Sequence, residues 1–177
     1  ADPERAAVVA AAANGDLARA RVLVLDDRLA ARREAWWSVP DRLDGTGAAA
    51  AALVEELRSM IDDASAARTA RHEEEVAALD AREEQLGTRG SGRREMETRH
   101  RRELRQFRTD ELRFGLGTLA QRYRDAVAAD LAAGAGAGRE GPRRAVDRLR
   151  AANEALVRNP NEALLLQALF VRLPPLA

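Results

Sequence analysis

The stretch NPNEALLLQALFVRLPPLA (Asn159–Ala177) is the most apolar part of a chain in which 33% of the residues are charged. Its first residues favour the start of a helix, with Asn159 as the N-cap, Pro160 at the first helical position and Glu162 turning back to the cap amide. The pair Pro174–Pro175 predicts the end of this helix. Apolar side chains cover nearly its whole circumference, which is typical of a helix buried on more than one side. They are Leu164, Leu165, Leu166, Ala168, Leu169, Phe170 and Val171.

The composition predicts an all-α protein. The strong helix formers Ala, Leu, Arg and Glu dominate the 177 residues, whereas β-branched residues are scarce and no strand pattern is found. The formal net charge is zero, which argues against a strongly basic nucleic-acid binder. The chain contains neither Lys nor Cys, so a Walker A loop, a Schiff base, a disulfide and a thiolate metal site are excluded. No run is long enough to predict a membrane span.

Two long antiparallel helices are predicted in the middle of the chain. The helix Ala48–Leu86 has a wide apolar face in its first half and only a thin apolar seam in its second half. The helix Arg93–Ala132 begins with a thin apolar seam and ends with a wide apolar face. The two wide faces would pack together, and residues 68–106 would project as a charged, coiled-coil-like hairpin with its tip at Gly87–Gly92. The seam positions are Val76, Leu79 and Leu86 on the first helix and Met96, Leu104 and Phe107 on the second.

Three shorter helices are predicted around this pair. They are Glu4–Ala13, Asp16–Trp36, which opens on an N-cap Asp, and Pro142–Val157. Ser38–Pro40 is expected to break the helical path, because the residue before Pro avoids the helical region. The Ala- and Gly-rich stretch Ala132–Gly141 is typical of a linker. The architecture predicted from these elements is a helical bundle that carries a long charged hairpin.

One pattern points to catalytic chemistry. Glu97 and His100 have the E-x-x-H spacing of di-iron bundles, and the other histidine, His72, lies in the RHEEE segment of the opposite arm. A di-iron site needs a second such unit and two more inward carboxylates, which the sequence does not supply. A solvated helix face is therefore the favoured interpretation of Glu97 and His100, and no catalytic, cofactor or metal site is expected.

Two further segments contain residue types that often contact partners. Arg93–Arg113 holds eight Arg against five acidic residues, which could touch phosphate. Mixed signs on one helix, however, favour pairs at i,i+4. Trp36 and Trp37 point in different directions on a helix, so one is expected to pack in the core and the other at a domain junction. A structural role is the favoured interpretation of both segments.

The segment RQFRTDELRFGLGTLAQRYRDAVAADL (Arg105–Leu131) resembles the collar-domain helix of the delta-prime clamp-loader subunits of bacterial DNA polymerase III, in their actinobacterial form. Ala145–Pro174 is similar to the closing helix pair of that family, with Asn159-Pro160-Asn161 at the turn between the helices. Ala10–Asp27 resembles the end of an AAA+ lid, with Gly15 at the turn before the last lid helix. The residues that carry the collar-helix resemblance are Leu112, Leu116, Leu119, Tyr123, Arg124 and Asp125.

The resemblance implies a non-catalytic assembly role in DNA replication. It places the end of a lid at residues 1–38 and a collar domain at 39–177, without the ATPase-like subdomain of the family. The implied partners are the gamma/tau and delta subunits and, indirectly, the sliding clamp and primer-template DNA, in the cytoplasm, with no cofactor, small-molecule substrate or membrane. Ala18 stands where ATP-binding relatives have Arg, which fits a subunit that does not hydrolyse ATP.

The last helix would supply the core and the subunit interface of this collar. The residues expected there are Leu164, Leu165, Leu166, Leu169, Phe170 and Leu173. The alternative is a stand-alone helical-bundle or coiled-coil scaffold. A scaffold coiled coil keeps apolar residues at its a and d positions over many heptads. The thin seam between Arg68 and Gln106 lacks such a sustained pattern. The assembly role is therefore the favoured prediction.

Overall fold

The computed structural model describes residues 2–13, 15, 17–87, 92–134 and 140–176, and every regular element within these ranges is helical. A short 3-10 turn, Leu156–Arg158, lies between the last two helices. The predicted all-α class is confirmed. In chain order the helices are α1 (Pro3–Ala13), α2 (Leu17–Val24), α3 (Leu29–Trp37), α4 (Val39–Arg42), α5 (Gly47–Leu86), α6 (Arg93–Ala132), α7 (Glu140–Ala155) and α8 (Glu162–Phe170).

The two long helices, α5 and α6, match their predicted bounds to within one residue. Local capping explains where α5 begins and ends. The hydroxyl of Thr46 accepts a hydrogen bond from the amide of Ala49 at 3.1 Å. Gly87 ends the helix in the left-handed conformation, with φ 64°, which glycine adopts without steric cost. The central residues of the expected tip, 88–91, lie outside the described residues.

The single helix predicted for Asp16–Trp36 is wrong, because a turn separates α2 from α3. The carboxylate of Asp26 accepts a hydrogen bond from the amide of Arg28 at 3.0 Å, and such a local bond competes with helix continuation. The break predicted at Ser38–Pro40 is confirmed, because α3 ends at Trp37 and the turn residue Ser38 separates it from α4. Pro40 itself, however, is helical. It lies in the first turn of α4, where no amide donor is needed from it. The expected N-cap Asp16 and part of the expected linker, residues 135–139, lie outside the described residues.

The cap of α8 is Asn161, so the prediction of Asn159 as the cap is wrong. The side chain of Asn161 accepts a hydrogen bond from the amide of Leu164 at 3.1 Å. Asn159 instead adopts the left-handed conformation, with φ 52°, directly after the 3-10 turn. Asn tolerates this conformation better than most residues do. The first Asn therefore ends one helix and the second Asn starts the next.

This shift also changes the roles expected of Pro160 and Glu162. Pro160 lies in the turn between the two helices, before the cap rather than after it. Glu162 is the first residue of α8, and its carboxylate accepts hydrogen bonds from Arg108 at 2.6 and 3.0 Å. It therefore ties α8 to α6 instead of closing a capping box.

Replacing Asn161 with Ala is expected to lower the free energy of unfolding by about 1 kcal/mol, because the first turn of α8 loses its side-chain acceptor. Asn159→Gly is the matched control, since glycine keeps the left-handed conformation, and its effect should stay within about 0.5 kcal/mol. Urea unfolding followed by circular dichroism measures both values. A larger loss for Asn159→Gly than for Asn161→Ala would show that the cap is misassigned.

The main core lies where the wide ends of α5 and α6 meet α7 and α8, as the sequence predicts. It takes buried residues from α5 as far as Ile61 and from α6 from Phe107 onward. A second, smaller cluster joins α1 and α2 to α3 and α6 through Leu29 and Phe114. Because Trp36 of α3 belongs to the main core, α3 packs with the bundle. The predicted division at residue 38 stays a prediction.

Trp36 is the buried member of the tryptophan pair. It is 2% exposed, and its ring lies edge-on to Phe170 with the ring centroids 6.3 Å apart. Trp37 is half-buried, and the guanidinium groups of Arg33 and Arg122 lie 5.1 and 5.4 Å from its ring centroid. The prediction that one of the two tryptophans packs in the core is confirmed.

Within the described part of the chain, no helix has both the length and the apolar character that crossing a bilayer requires.

Candidate functional site

The last helix divides its apolar side chains between the core and solvent. Leu164 is 64% exposed and Val171 is 50% exposed, and Ala168 between them is also exposed. The spacing of four and three residues places these three side chains in one line, named the α8 strip here. Leu165 is half-buried. The remaining residues predicted for core or interface are at most 6% exposed and lie in the core: Leu166, Leu169, Phe170 and Leu173.

The α6 residues that carry the family resemblance divide in the same way. Tyr123 is fully buried, and its hydroxyl donates a hydrogen bond to the carbonyl of Pro174 at 2.6 Å. Burial, together with the negative charge of Asp41, raises the pKa of Tyr123. Tyr123 therefore holds the segment after α8 against α6. Three more residues of this set lie in the core: Leu112, Leu116 and Leu119.

Arg124 and Asp125 are exposed, and both contact Gln121 one turn earlier. Arg124 donates to the amide oxygen of Gln121 at 2.8 Å, and the amide nitrogen of Gln121 donates to Asp125 at 2.6 Å. These two charged side chains thus lie on the solvent side of α6, where they are accessible to a partner.

A buried ion pair links α3 to α6. The guanidinium of Arg32 donates to Glu111 at 2.9 Å and to Asp26 at 2.7 Å. The side chains of Arg32 and Glu111 are 4% and 1% exposed. Burial alone would raise the pKa of Asp26, but the hydrogen bond and the charge of Arg32 hold it below its ordinary value. The sequence did not predict this group, because Arg32 and Glu111 lie 79 positions apart and resemble ordinary surface residues.

Six residues of the hairpin form a second unpredicted group, named the histidine clasp here. The motif R-H-x-x-E occurs once on each arm, and because the arms are antiparallel, each histidine meets the glutamate of the other arm. The Nε2 to Oε2 distance is 2.9 Å in both pairs, and the two imidazole rings stack with centroids 3.9 Å apart. The clasp consists of Arg71, His72, Glu75, Arg99, His100 and Glu103.

The clasp changes the interpretation of the E-x-x-H pattern. His100 is only 7% exposed, so the expectation of a solvated face is wrong for this residue. The side chain of Glu97 is half exposed and pairs with Arg93 at 3.3 Å, away from the imidazole stack. Glu97 and His100 therefore do not converge. Among the described residues, no group of three or more His, Asp or Glu side chains is arranged to hold a metal ion.

The Arg-rich segment Arg93–Arg113 pairs extensively with acidic side chains. Arg93 contacts Asp80, and Arg99 donates to Glu75 at 2.5 Å. Arg108 binds Glu162, as described above, and these contacts hold the pKa of Arg108 above its ordinary value. The favoured interpretation of mixed-sign pairing thus agrees with the geometry, although several of the pairs bridge two helices instead of lying within one.

Acidification is expected to weaken the histidine clasp. The hydrogen bonds from His100 and His72 hold the pKa of Glu75 and Glu103 below the ordinary value of 4.5. A lowered carboxyl pKa contributes stability above the ordinary pKa, and this contribution is lost as the pH falls through the folded-state value. The melting temperature should therefore fall less steeply below pH 4.5 in Glu75→Gln/Glu103→Gln than in the parent chain.

The control for this titration is Glu73→Gln/Glu74→Gln, which removes the same number of carboxylates from exposed positions on α5. Its melting temperature should follow the parent chain below pH 4.5. Parallel curves for all three proteins would contradict a contribution of the clasp to stability.

Other exposed apolar side chains lie outside α8. Val157, in the turn that precedes α8, is 77% exposed. Near the other end of the chain, α2 and the residue after it expose four more: Leu17, Val22, Val24 and Leu25.

Neither a family model, nor a curated protein, nor a solved structure matches this chain.

Proposed function

We propose that this chain is a non-catalytic assembly module, the lid end and collar domain of a clamp-loader subunit of bacterial DNA polymerase III. It packs against the gamma/tau and delta subunits, which together load the sliding clamp onto primed DNA. The observation that carries this proposal is the α8 strip. It presents apolar side chains to solvent from a helix whose opposite face lies in the core, which is typical of a surface that another protein covers.

The arrangement of the other helices supports the same assignment. The resemblance to collar domains depends on the leucines of α6 and on the closing helix pair, and both lie in the main core around α8. The exposed apolar side chains of α2 fit a lid helix that contacts a further domain. In the described residues the histidine clasp and ion pairs link the hairpin arms, which fits a projection from a globular domain better than a scaffold coiled coil.

The test is the molar mass of mixtures, measured by gel filtration with light scattering. The full chain is mixed with the collar domains of gamma/tau and delta from the same organism, and a complex of defined mass is expected. Leu164→Asp/Val171→Asp should weaken this complex at least tenfold, because charge at the α8 strip is desolvated without a partner on binding. Since both side chains are exposed, the melting temperature should stay near that of the parent chain.

The matched control is Leu86→Asp/Leu131→Asp, which places the same charges on exposed apolar positions at the ends of α5 and α6. This variant should form the collar complex with unchanged affinity. A parent chain that ignores both partners, or a complex that tolerates Leu164→Asp/Val171→Asp, would contradict the proposal. A lone chain that self-associates through the strip would favour the scaffold alternative.

A further inference from the structure

A groove of about 910 Å³ runs along α6 and is bounded by α1, α3 and α7. Six of the ten α6 residues that line it recur at steps of three and four, so these six lie on one face of the helix. They extend over about 27 Å, or about five helical turns. The positions that mark this face are Gln106, Asp110, Arg113, Gly117, Gln121 and Arg124. None of the residues of the α8 strip lines the groove, so the two surfaces are separate.

The groove concentrates positive charge. Four arginines line it, and Asp110 is the one acidic residue among its described lining residues. The chain as a whole carries equal numbers of basic and acidic side chains. Two of the four arginines have acidic neighbours: Arg113 lies 3.7 Å from Asp110, and Arg150 lies 3.6 Å from Asp147, which does not line the groove. Asp110 also accepts a hydrogen bond from the Gln106 amide at 3.0 Å. The four arginines are Arg33, Arg113, Arg124 and Arg150.

Between these charges the groove has an apolar floor. The half-buried side chains of Trp37, Ala120 and Val146 contribute to it. Gly117 adds open space, because a Cβ atom at this position would meet no atom within 4 Å. The floor can therefore receive side chains from outside without displacing those of the chain itself.

We infer that this groove binds an acidic amphipathic helix of a partner protein, about five turns long. The apolar face of such a helix would lie on the floor, with anchors at i, i+3 or i+4, and i+7. Its Asp and Glu side chains would face the four arginines, and this complementarity fixes its orientation and register. Single-stranded nucleic acid fits less well, since it stacks on successive aromatic rings and Trp37 is the one solvent-reaching ring among the described lining residues.

The probe is a fluorescein-labelled synthetic peptide of about 18 residues, the length of five turns, with Leu on one helical face and Glu elsewhere. Fluorescence anisotropy with the full chain should give saturable binding in the micromolar range. The same peptide with Lys in place of Glu should bind at least tenfold more weakly. Raising the salt concentration should weaken the binding of the acidic peptide, because salt screens exposed charge pairs.

Three variants locate the binding surface. Arg113→Glu/Arg124→Glu should weaken the binding of the acidic peptide at least tenfold. Gly117→Trp should weaken it as much, because the indole fills the floor of the groove, although the charge of the chain is unchanged. Arg94→Glu/Arg102→Glu makes the same charge change at exposed positions on the hairpin and should leave binding unchanged. Melting curves check that each variant is folded.

Several results would overturn the inference. They are no saturable binding of the acidic peptide to the parent chain, equal binding of the basic peptide, and an equal loss in Arg94→Glu/Arg102→Glu. If a labelled oligothymidine of the same length binds more tightly than the acidic peptide, the ligand of the groove is single-stranded nucleic acid and not an acidic helix. A Gly117→Trp variant that is folded and binds normally would place the peptide outside the groove.

Discussion

Replacing Glu111 with Ala is expected to lower the free energy of unfolding by about 3–5 kcal/mol, because the variant leaves the guanidinium of Arg32 buried without this carboxylate. The side chain of Arg32 is only 4% exposed, so bulk solvent does not solvate its charge in the folded chain. Asp26 remains as a partner, but its side chain is more exposed and it binds a different guanidinium nitrogen.

The double variant Arg32→Met/Glu111→Leu separates the net contribution of the ion pair to the free energy of unfolding from the loss caused by leaving one partner unpaired. Both charges of the pair disappear together and are replaced by apolar side chains of similar size, while Asp26, whose side chain is 26% exposed, keeps its hydrogen bond from the Arg28 amide. The stability should therefore stay near or above that of the parent chain. Urea unfolding of both variants gives the comparison. If Glu111→Ala loses less than about 1 kcal/mol, a typical value for an exposed pair, the pair is not buried in solution.

Gly115→Ala is expected to destabilise the protein by about 1–3 kcal/mol through overpacking. A Cβ atom at position 115 would lie 2.0 Å from a ring carbon of Trp36. The indole cannot move away freely, because it is buried and lies edge-on to Phe170. The variant must therefore shift α3 away from α6 or force the tryptophan into a poorer rotamer.

Gly117 provides a control in the same helix, two residues further on. Its Cβ would meet no atom within 4 Å, so Gly117→Ala should stabilise the chain by about 0.5–1 kcal/mol through the better helix propensity of alanine. Thermal and urea unfolding measure the two changes, which should have opposite signs. A gain in stability for both variants would contradict the close approach of Trp36 to α6.

The long helices could be predicted from the sequence because their signals are local and repeated. The change from a wide apolar face to a thin seam marks where α5 and α6 leave the core, and glycines delimit the tip between them. The break between α2 and α3 could not be predicted in the same way, since it depends on one side chain, Asp26, that bonds to the backbone. At α8, two asparagines suit the same turn, and only tertiary packing decides which of them caps the helix.

The proposed interaction surfaces were less predictable for a different reason. The apolar character of α8 is evident in the sequence, but whether Leu164 or Leu166 faces solvent depends on how the helix is rotated against the core. The groove and the pair Arg32–Glu111 bring together residues from distant segments, and periodicity contains no such information. The histidine clasp was not predicted either, although a signal for it exists, because the repeated R-H-x-x-E motif is visible in the sequence and its reversed pairing follows from the antiparallel arms.

The histidine clasp also limits where the hairpin tolerates changes in length. Each added residue rotates the following side chains about the helix axis by about 100°. A one-residue insertion between Ile61 and His72 would therefore turn one imidazole out of the stack while the other stays in place. Insertions in the tip, between Asp80 and Arg93, do not change the rotation of the clasp residues relative to the core. The length of the hairpin can therefore vary at its tip, whereas the number of residues between the core and the clasp cannot change.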